Sequence, residues 1–468
     1  MEKIGQSGDR CWASKLLSTA AGLLAFMWGC SQPGVYQAPE PLPLRRELER
    51  FDAPREPLDV QRERPEVKEP EDTLTLRGAL ALALLRNAEL SSFFWELRAS
   101  EARALQAGLL PNPEIDGEVE DFGGSGDSGG FDEAESTIAL SQLIELGGKR
   151  TKRLRVAEFG RGLAAWDYEA KRLSVLTETA QVFVEVLAGQ RRVELQTASL
   201  ELALEVLRTV SERVDMGKSS PIERTRAQVV VSQSEISLER AHRALEAARA
   251  RLAATWGGSA ASFQSVTGTL EETPEVPALE TLGVWIRENP DVSRWAVEIA
   301  ERRARVELAE AQAIPDVTVR GGARLLQGSD ETAFVIGLSL PLPLFDRNQG
   351  GRREALFNLA KANEKRRAAE IRVRTALSDA YQALLSAYSE VATLRDEVLP
   401  AARSAFEGIR ESYRQGKLTQ LDVLDAQRTL FEVREQYTEA LSSYHRARAQ
   451  VEGLVGRPIV ELEKGGAP

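Results

Sequence analysis

Two aspartates near the C-terminus, Asp422 and Asp425, are the side chains whose type and spacing most directly suggest chemistry. Residues three apart lie on the same face of a helix. Their carboxylates would then form one acidic patch that attracts cations. Two solvated surface acids would show the same spacing, and the pair alone does not separate these interpretations.

Other kinds of chemistry have little support in the sequence. The two histidines, His242 and His445, fall on different predicted helices without the spacing of metal ligands. A glycine-rich stretch at 123–130 has no lysine or helix following in register, so it predicts a loop between strands and not a phosphate-binding loop. No nucleophile, base or cofactor motif is present in the sequence. We therefore expect no enzyme activity, no cofactor and no bound metal.

The chain is an internal duplication. Three short motifs recur about 200 residues apart, pairing Asn87 with Asn289, Pro113 with Pro315, and Gly217 with Gly416. A unit of this length is too long for a solenoid repeat, which has about 20 to 50 residues. Each copy, predicted at 73–270 and 271–457, should therefore contain helices and strands of its own.

Each copy combines a pair of strands with long helices. Alternating apolar and polar residues predict two-stranded hairpins at 114–143 and 316–340. The following segments, 150–256 and 350–456, carry apolar residues at heptad spacing, which is typical of coiled coils. Each segment turns back at its glycine, and the first helix of the first copy, from about 150 to 214, would be about 100 Å long. The sequence therefore predicts a mainly helical, elongated protein with a small amphipathic sheet.

The N-terminal residues 1–29 are predicted to be an export signal, because basic residues precede an apolar stretch too short to span a bilayer. A small residue followed by Cys30 suggests lipoprotein processing with the lipid on Cys30; an ordinary signal peptide with an incidental cysteine is the alternative. Residues 30–72 are dense in proline and charge and predict an extended tether, and 458–468 is a predicted tail. The net charge of −11, without a basic stripe, argues against nucleic-acid binding.

The amphipathic strands require closure by other chains if they enter a membrane. Four strands per chain cannot form a barrel, and open sheet edges are not tolerated in hydrocarbon. A soluble sheet that is wet on one face would explain the strands by themselves. The export signal, the duplicated hairpins and the lipid anchor together favour an outer-membrane sheet closed by oligomerisation.

The segment from Tyr413 to Gln427, with its first-repeat partner from Gly217 to Gln228, resembles the periplasmic tips of TolC-like outer-membrane efflux proteins. The resemblance covers about 75–456. It implies a homotrimer in the outer membrane, with twelve strands forming a transmembrane β-barrel and twelve helices forming an α-barrel tunnel across the periplasm. It also implies two partners, a periplasmic adaptor and an inner-membrane pump of the RND type.

The resemblance also implies roles for individual residues. Tyr413 corresponds to a tyrosine that helps to hold the periplasmic entrance shut, and Asp422 and Asp425 would place six carboxylates around that entrance as a cation-selective ring. The arginine that accompanies the tyrosine in relatives is replaced by Leu418, which predicts a looser closing network. The predicted adaptor-docking tips consist of Gly217, Lys218, Ser219, Gly416, Lys417 and Leu418.

Two motifs where strand returns to helix narrow the resemblance. Residues 145–150 (Glu-Leu-Gly-Gly-Lys-Arg) and 340–350 (Leu-Pro-Leu-Pro-Leu-Phe-Asp-Arg-Asn-Gln-Gly) resemble the heavy-metal branch, the outer-membrane components of cobalt, zinc and cadmium resistance pumps. This branch implies a passive exit duct for such cations; the channel of a multidrug pump or a type I secretion system is the alternative. A periplasmic adaptor would have one helical hairpin flanked by β-rich modules, and a lipoprotein scaffold would not need duplicated amphipathic strands.

Overall fold

The computed structural model describes residues 69–126 and 130–459. The predicted export signal, Cys30, the tether up to residue 68 and the tail from residue 460 lie outside these ranges. The helices are α1 (Leu76–Arg86), α2 (Ala88–Ala107), α3 (Lys149–Asp215), α4 (Pro221–Ala254), α5 (Leu279–Trp285), α6 (Pro290–Ala311), α7 (Gln349–Thr393), α8 (Leu399–Arg414) and α9 (Gln420–Val455). The strands are β1 (Thr73–Thr75), β2 (Glu114–Glu120), β3 (Glu135–Ile144), β4 (Ser265–Thr267), β5 (Val317–Leu326) and β6 (Glu331–Ser339).

Both repeats contain a long helical hairpin, as the heptad pattern predicts. Helix α3 has 67 residues, which corresponds to about 100 Å, and α4 returns beside it. In the second repeat α7 and α8 run on as one rod, and α9 returns. The sequence predicts a break at Pro400, but the irregularity lies just before it, in a π-helical turn at Leu394–Val398. The helix then continues through Pro400, which occupies the first turn of α8, where a missing N–H is tolerated.

The two strand hairpins join into one antiparallel sheet in the order β2-β3-β5-β6. The central pair, β3 with β5, connects the first repeat to the second, with Ile138 opposite Ala323. Residues opposite one another point to the same face, and this register divides the sheet into two chemically different faces. Among the described residues, the outer edges of β2 and β6 have no strand partner.

One face of the sheet is apolar and open. It carries Ile115, Ile138 and Leu140 from the first hairpin and Phe334, Ile336 and Leu338 from the second, all of them exposed. Phe334 is 89% exposed, although phenylalanine is normally among the more buried residues. An exposed apolar patch of this extent indicates a surface that another apolar phase covers.

The hydrophobic core lies around the middle of the long helices. Around α7 and α9 it contains Leu377, Leu384 and Tyr444, and a second cluster around α3 and α4 contains Phe183 and Trp256. Short elements cover these clusters from the side: β1 pairs in parallel with β4, and α5 packs against the first cluster. None of the described helices has an apolar stretch long enough to cross a bilayer.

The duplicated asparagines have the same structural role in each repeat. Asn87 accepts a hydrogen bond from the Leu90 N–H at the start of α2 and donates one of 2.8 Å to the carbonyl of Thr255, at the end of α4. Asn289 accepts from the Asp291 N–H at the start of α6 and donates, also at 2.8 Å, to a carbonyl at the end of α9. Each asparagine therefore closes its own repeat by joining a helix start to the end of the long hairpin.

Candidate functional site

The two predicted tips have the same backbone construction. At the first, Lys218 N–H donates to the carbonyl of Arg213 at 2.8 Å, and Gly217 N–H donates to that of Val214 at 2.9 Å. At the second, the amides of Lys417 and Gly416 make the equivalent bonds, both 2.9 Å. This is the Schellman motif that ends a helix on a left-handed residue. Both glycines have a positive φ, +69° and +75°, which explains why glycine recurs there.

Polar side chains complete each tip. Ser220 caps α4 and Thr419 caps α9. Gly217 and Gly416 are exposed, and a Cβ added at either would meet no neighbouring atom within 4 Å. The glycines therefore serve the turn conformation and leave open space in front of both tips. Lys218, Lys417 and Leu418 are exposed in these turns, and Ser219 is half-buried.

The tips lie at the same end of the molecule and are in contact. The guanidinium of Arg213 lies 4.9 Å from the ring centroid of Tyr413, a distance typical of a cation–π interaction. Beside them, Phe406, Val423 and Leu430 form a small apolar cluster between the second hairpin and α3. The other repeat thus supplies a cation beside Tyr413 within one chain, and the looser closing network inferred from Leu418 stays a prediction.

Asp422 has a structural partner that the sequence analysis overlooked. Its carboxylate accepts hydrogen bonds from the Thr419 backbone N–H at 2.8 Å and from the Thr419 hydroxyl at 2.7 Å. The Asp422 N–H in turn donates to that hydroxyl, which completes a capping box. The hydrogen bonds from Thr419 hold the pKa of the Asp422 carboxyl below its usual range. Asp422 is therefore ionised and also serves as a helix cap.

Asp425 lies one turn further along α9, exposed, with Arg428 2.9 Å away. An ion pair between two exposed side chains contributes about 0 to 1 kcal/mol, so it leaves the carboxylate accessible to ions. Asp425 also lines an open groove of about 670 Å³ between α4 and α9, with Ile222, Val229 and Phe431. The two aspartates thus share a helix face but have different surroundings.

Polar groups near the second tip are buried without partners. Gln420 is only 5% exposed, and among the described residues neither end of its amide has a hydrogen-bond partner. The Tyr413 hydroxyl is in the same state. Both residues line a small cavity of about 70 Å³ against Val206 and Val210 of α3. The contact between the two repeats at this tip is therefore partly polar.

The second face of the sheet is polar and ion-paired. Arg324 donates to Thr137 at 3.0 Å and to Glu120 at 2.9 Å, and it also pairs with Glu135. Arg320 pairs with Glu118 at 3.3 Å. Both arginines belong to the second repeat and all three glutamates to the first. Periodicity alone did not predict these contacts, although the alternating charges of β2 and β5 were a signal for them.

The histidines lie apart from both tips. His445 Nε2 is 2.9 Å from the carbonyl oxygen of Leu270, and burial lowers the pKa of the imidazole despite that contact. His242 is exposed on α4. Within the described ranges, no three histidine, cysteine or acidic side chains converge in a way that could hold a metal ion.

The family model of the outer membrane efflux protein matches residues 79–258 and 284–457, which is most of the chain and falls in both repeats. The chain belongs to this family. It is 35% identical over 390 residues to the cobalt-zinc-cadmium resistance protein CzcC of Cupriavidus metallidurans, a match that covers 83% of this chain and 92% of CzcC. It is 29% identical to the nickel-cobalt-cadmium resistance protein NccC of Alcaligenes xylosoxydans xylosoxydans, over 69% of this chain and 70% of NccC.

The fold agrees with a solved relative. A crystal structure of CusC superposes with a TM-score of 0.70 at 15% identity, covering 82% of this chain and 92% of CusC. The predicted TolC-like fold, mainly helical with a small β part, is therefore confirmed. As an outer membrane efflux protein the chain is a channel and not an enzyme, and the tips and the two-faced sheet are parts of that channel protein.

Proposed function

We propose that this outer membrane efflux protein is the passive exit duct for divalent heavy-metal cations of the cobalt, zinc and cadmium type. The observation that carries the proposal is its likeness to a cobalt-zinc-cadmium resistance protein along 92% of that relative's length. A periplasmic adaptor and an inner-membrane pump of the RND type would deliver the cations. The chain would act as a homotrimer, because the described part of one chain leaves both edges of its sheet unpaired.

The two faces of the sheet support a membrane position. In a twelve-stranded barrel of three chains, the exposed apolar face would contact lipid and the ion-paired face would line the pore, as in outer-membrane barrels. The polar face carries Asp116, Glu118, Glu120, Glu135 and Glu331 against Arg320 and Arg324. These acids outnumber the arginines, so the wall would favour cations over anions.

At the opposite end, Asp422 and Asp425 would form the carboxylate ring of the periplasmic entrance, and the turns at Gly217 and Gly416 would dock the adaptor. The open space in front of both glycines supports this use. Weak carboxylate contacts suit a conduit, because conduction requires ions to leave as easily as they enter. Discrimination among metals would then belong to the pump.

We further propose the predicted N-terminal organisation: a signal at 1–29, a lipid on Cys30 and a tether over 30–72. Mass spectrometry of the mature N-terminus tests it. We expect a lipid-modified Cys30 as the first residue, and an unmodified terminus at another position would contradict the lipid anchor.

The transport proposal is tested by deleting the gene and measuring growth on a panel of metals and organic drugs. We expect sensitivity to cobalt, zinc or cadmium, restored by the intact gene but not by a copy with bulky residues at both tip glycines. A strain sensitised only to organic drugs would transfer the protein to multidrug efflux.

A further inference from the structure

The connection from strand to helix is longer in the second repeat than in the first. Four residues (145–148) join β3 to α3, whereas nine (340–348) join β6 to α7. The longer connection begins with the sequence Leu-Pro-Leu-Pro-Leu-Phe at 340–345, which we call the apolar loop. The duplication therefore does not explain this loop, and neither does the proposed transport function.

The apolar loop has a defined conformation. Leu344 N–H donates to the Leu342 carbonyl at 2.8 Å, and Arg347 Nε donates to the carbonyl of Pro343 at 3.1 Å. Beyond it, Asn348 donates to the carbonyl of Ala309 at 2.7 Å and so fixes the start of α7 on α6. These hydrogen bonds fix the backbone of the loop. The side chains of Leu342, Leu344 and Phe345 nevertheless point outward, and Phe345 is 90% exposed. An ordered loop with an exposed apolar surface indicates a site of interaction with another molecule.

The seam between the two repeats shows what covers such a connection. There the short connection 145–148 packs against the segment that precedes β5. A Cβ at Gly147 would lie 2.8 Å from Ile314 Cδ1 and 3.3 Å from the carbonyl oxygen of Ala311. Lys149 and the Leu146 N–H both bind the Asp316 carboxylate, at 2.8 and 2.9 Å. Ala311 is consequently 1% exposed.

No described residue covers the equivalent segment before β2 in this way. The repeat offset of 202 residues places Leu109 at the position of Ala311 and Leu105 at that of Glu307. Leu109 is 49% exposed, and Leu105 and Leu110 are more exposed still. The backbone here is fixed to its own chain, since Arg153 donates to the carbonyls of Ala107 and Leu109. The first repeat therefore has exposed leucine side chains at the place where the second repeat has a buried alanine.

The sheet topology brings these two open surfaces together. The unpaired edges are β2 and β6, which run in opposite directions, so β6 of one chain can continue the antiparallel order with β2 of the next. The end of β6 then lies beside the start of β2. The apolar loop follows the former and the leucines precede the latter. Resting on the proposed trimer, we propose that the apolar loop packs on Leu105, Leu109 and Leu110 of the next copy and seals the seam between chains where strand becomes helix.

Cysteine cross-linking in native membranes tests this contact. Leu109→Cys combined with Phe345→Cys should give disulfide-linked dimers and trimers after mild oxidation. Each single variant should remain monomeric on a denaturing gel, which also controls for Cys30. The matched control combines Leu109→Cys with Ile371→Cys. Ile371 is exposed on α7, 22 residues beyond its start, which places it about 33 Å from the loop, so no linkage should form.

Native gels separate the possible failures. Trimers without cross-linking in the double variant would overturn the loop contact and leave the transport proposal standing. Absence of trimers for the unmodified protein would overturn the proposed assembly and this contact with it.

A photoreactive phenylalanine analogue at position 345 gives an independent measurement. It retains an aromatic ring at an exposed site and so does not disturb folding. Mass spectrometry should find its adduct on residues 105–110 of a second copy. Adducts with lipid alone would overturn the proposal and assign the loop to the membrane surface.

Discussion

Replacement of the buried Asn289 should loosen the second repeat at a defined place. Asn289→Ala removes the cap of α6, worth about 0.5 to 2 kcal/mol. It also removes the 2.8 Å hydrogen bond to the Leu454 carbonyl, worth about 0.5 to 1.5 kcal/mol. Because Asn289 is only 3% exposed, water replaces neither bond readily. The summed loss is about 1 to 3.5 kcal/mol, or a roughly 5- to 300-fold rise in local opening, since about 1.4 kcal/mol is tenfold.

Hydrogen exchange measured by mass spectrometry reports this opening directly. Peptides from the first turn of α6 and the last turn of α9 should exchange faster by that factor. Asn289→Ser keeps a good cap but loses the bond to Leu454, so its effect should be only about 2- to 12-fold. Asn87→Ala should have the corresponding effect on the first repeat, because the same two bonds are present there.

Asn363→Ala is the matched control. Asn363 lies within α7, and among the described residues its side chain bonds only to a carbonyl of its own helix; alanine has the higher helix propensity. We expect no acceleration of exchange. Equal hydrogen exchange in Asn289→Ala and Asn363→Ala would refute the role of the Asn289 hydrogen bonds in joining α6 to α9.

Four further changes test the tips and the core. Asp425→Asn removes half of the predicted ring charge while leaving the helix cap intact, and it should lower the cation-to-anion permeability ratio in bilayer recordings; an unchanged ratio would make it a surface acid. Gly416→Val forces a β-branched residue to positive φ, at about 1 to 2 kcal/mol, and should abolish efflux with trimers retained, whereas Gly416→Asn should preserve it. Arg213→Ala removes a cation–π contact of about 0.5 to 1 kcal/mol and should raise channel opening roughly 2- to 5-fold; Tyr413→Phe, which keeps the ring, should not. Burial lowers the pKa of His445 in the folded chain. As the pH falls below about 6.5, the unfolded chain therefore takes up the proton before the folded chain does, and the free energy of unfolding decreases. Between pH 7.5 and 5 the melting temperature should fall more steeply for the unmodified protein than for His445→Gln.

Local sequence signals predicted the elements because each has a period or a marker residue. Alternation along β2 and β5 specified the two-faced sheet, and the heptads specified the long hairpins. The recurring Gly217 and Gly416 marked both turns, because a left-handed helix end favours glycine. These features depend on residues close together in the chain.

Contacts between the repeats were not predictable in this way. Arg213 and Tyr413 are 200 residues apart in the chain, and no periodicity says that one lies over the other. The sequence therefore offers Leu418, and not Arg213, as the neighbour of Tyr413. The partners of Arg324 on β2 and β3 could not be predicted for the same reason, because the register between two hairpins is a tertiary property.

One local signal was present and was overlooked. Thr419 precedes Asp422 by three residues at the start of a helix, which is the spacing of a capping box. The interpretation of Asp422 as a ring carboxylate left this second role out. Pro400 is a related case: proline marks an irregular place in the helix, but the π-helical turn that accommodates it lies before the proline.

The open apolar face and the two unpaired edges also bear on how the channel is made. A single folded chain would carry Phe334 and Ile336 uncovered through an aqueous compartment, with two strand edges ready to pair with any other chain. Such a species invites aggregation unless a holding factor shields it. For the proposed trimer, folding and assembly would be coupled, so the yield of intact channel should depend on the local concentration of newly made chains.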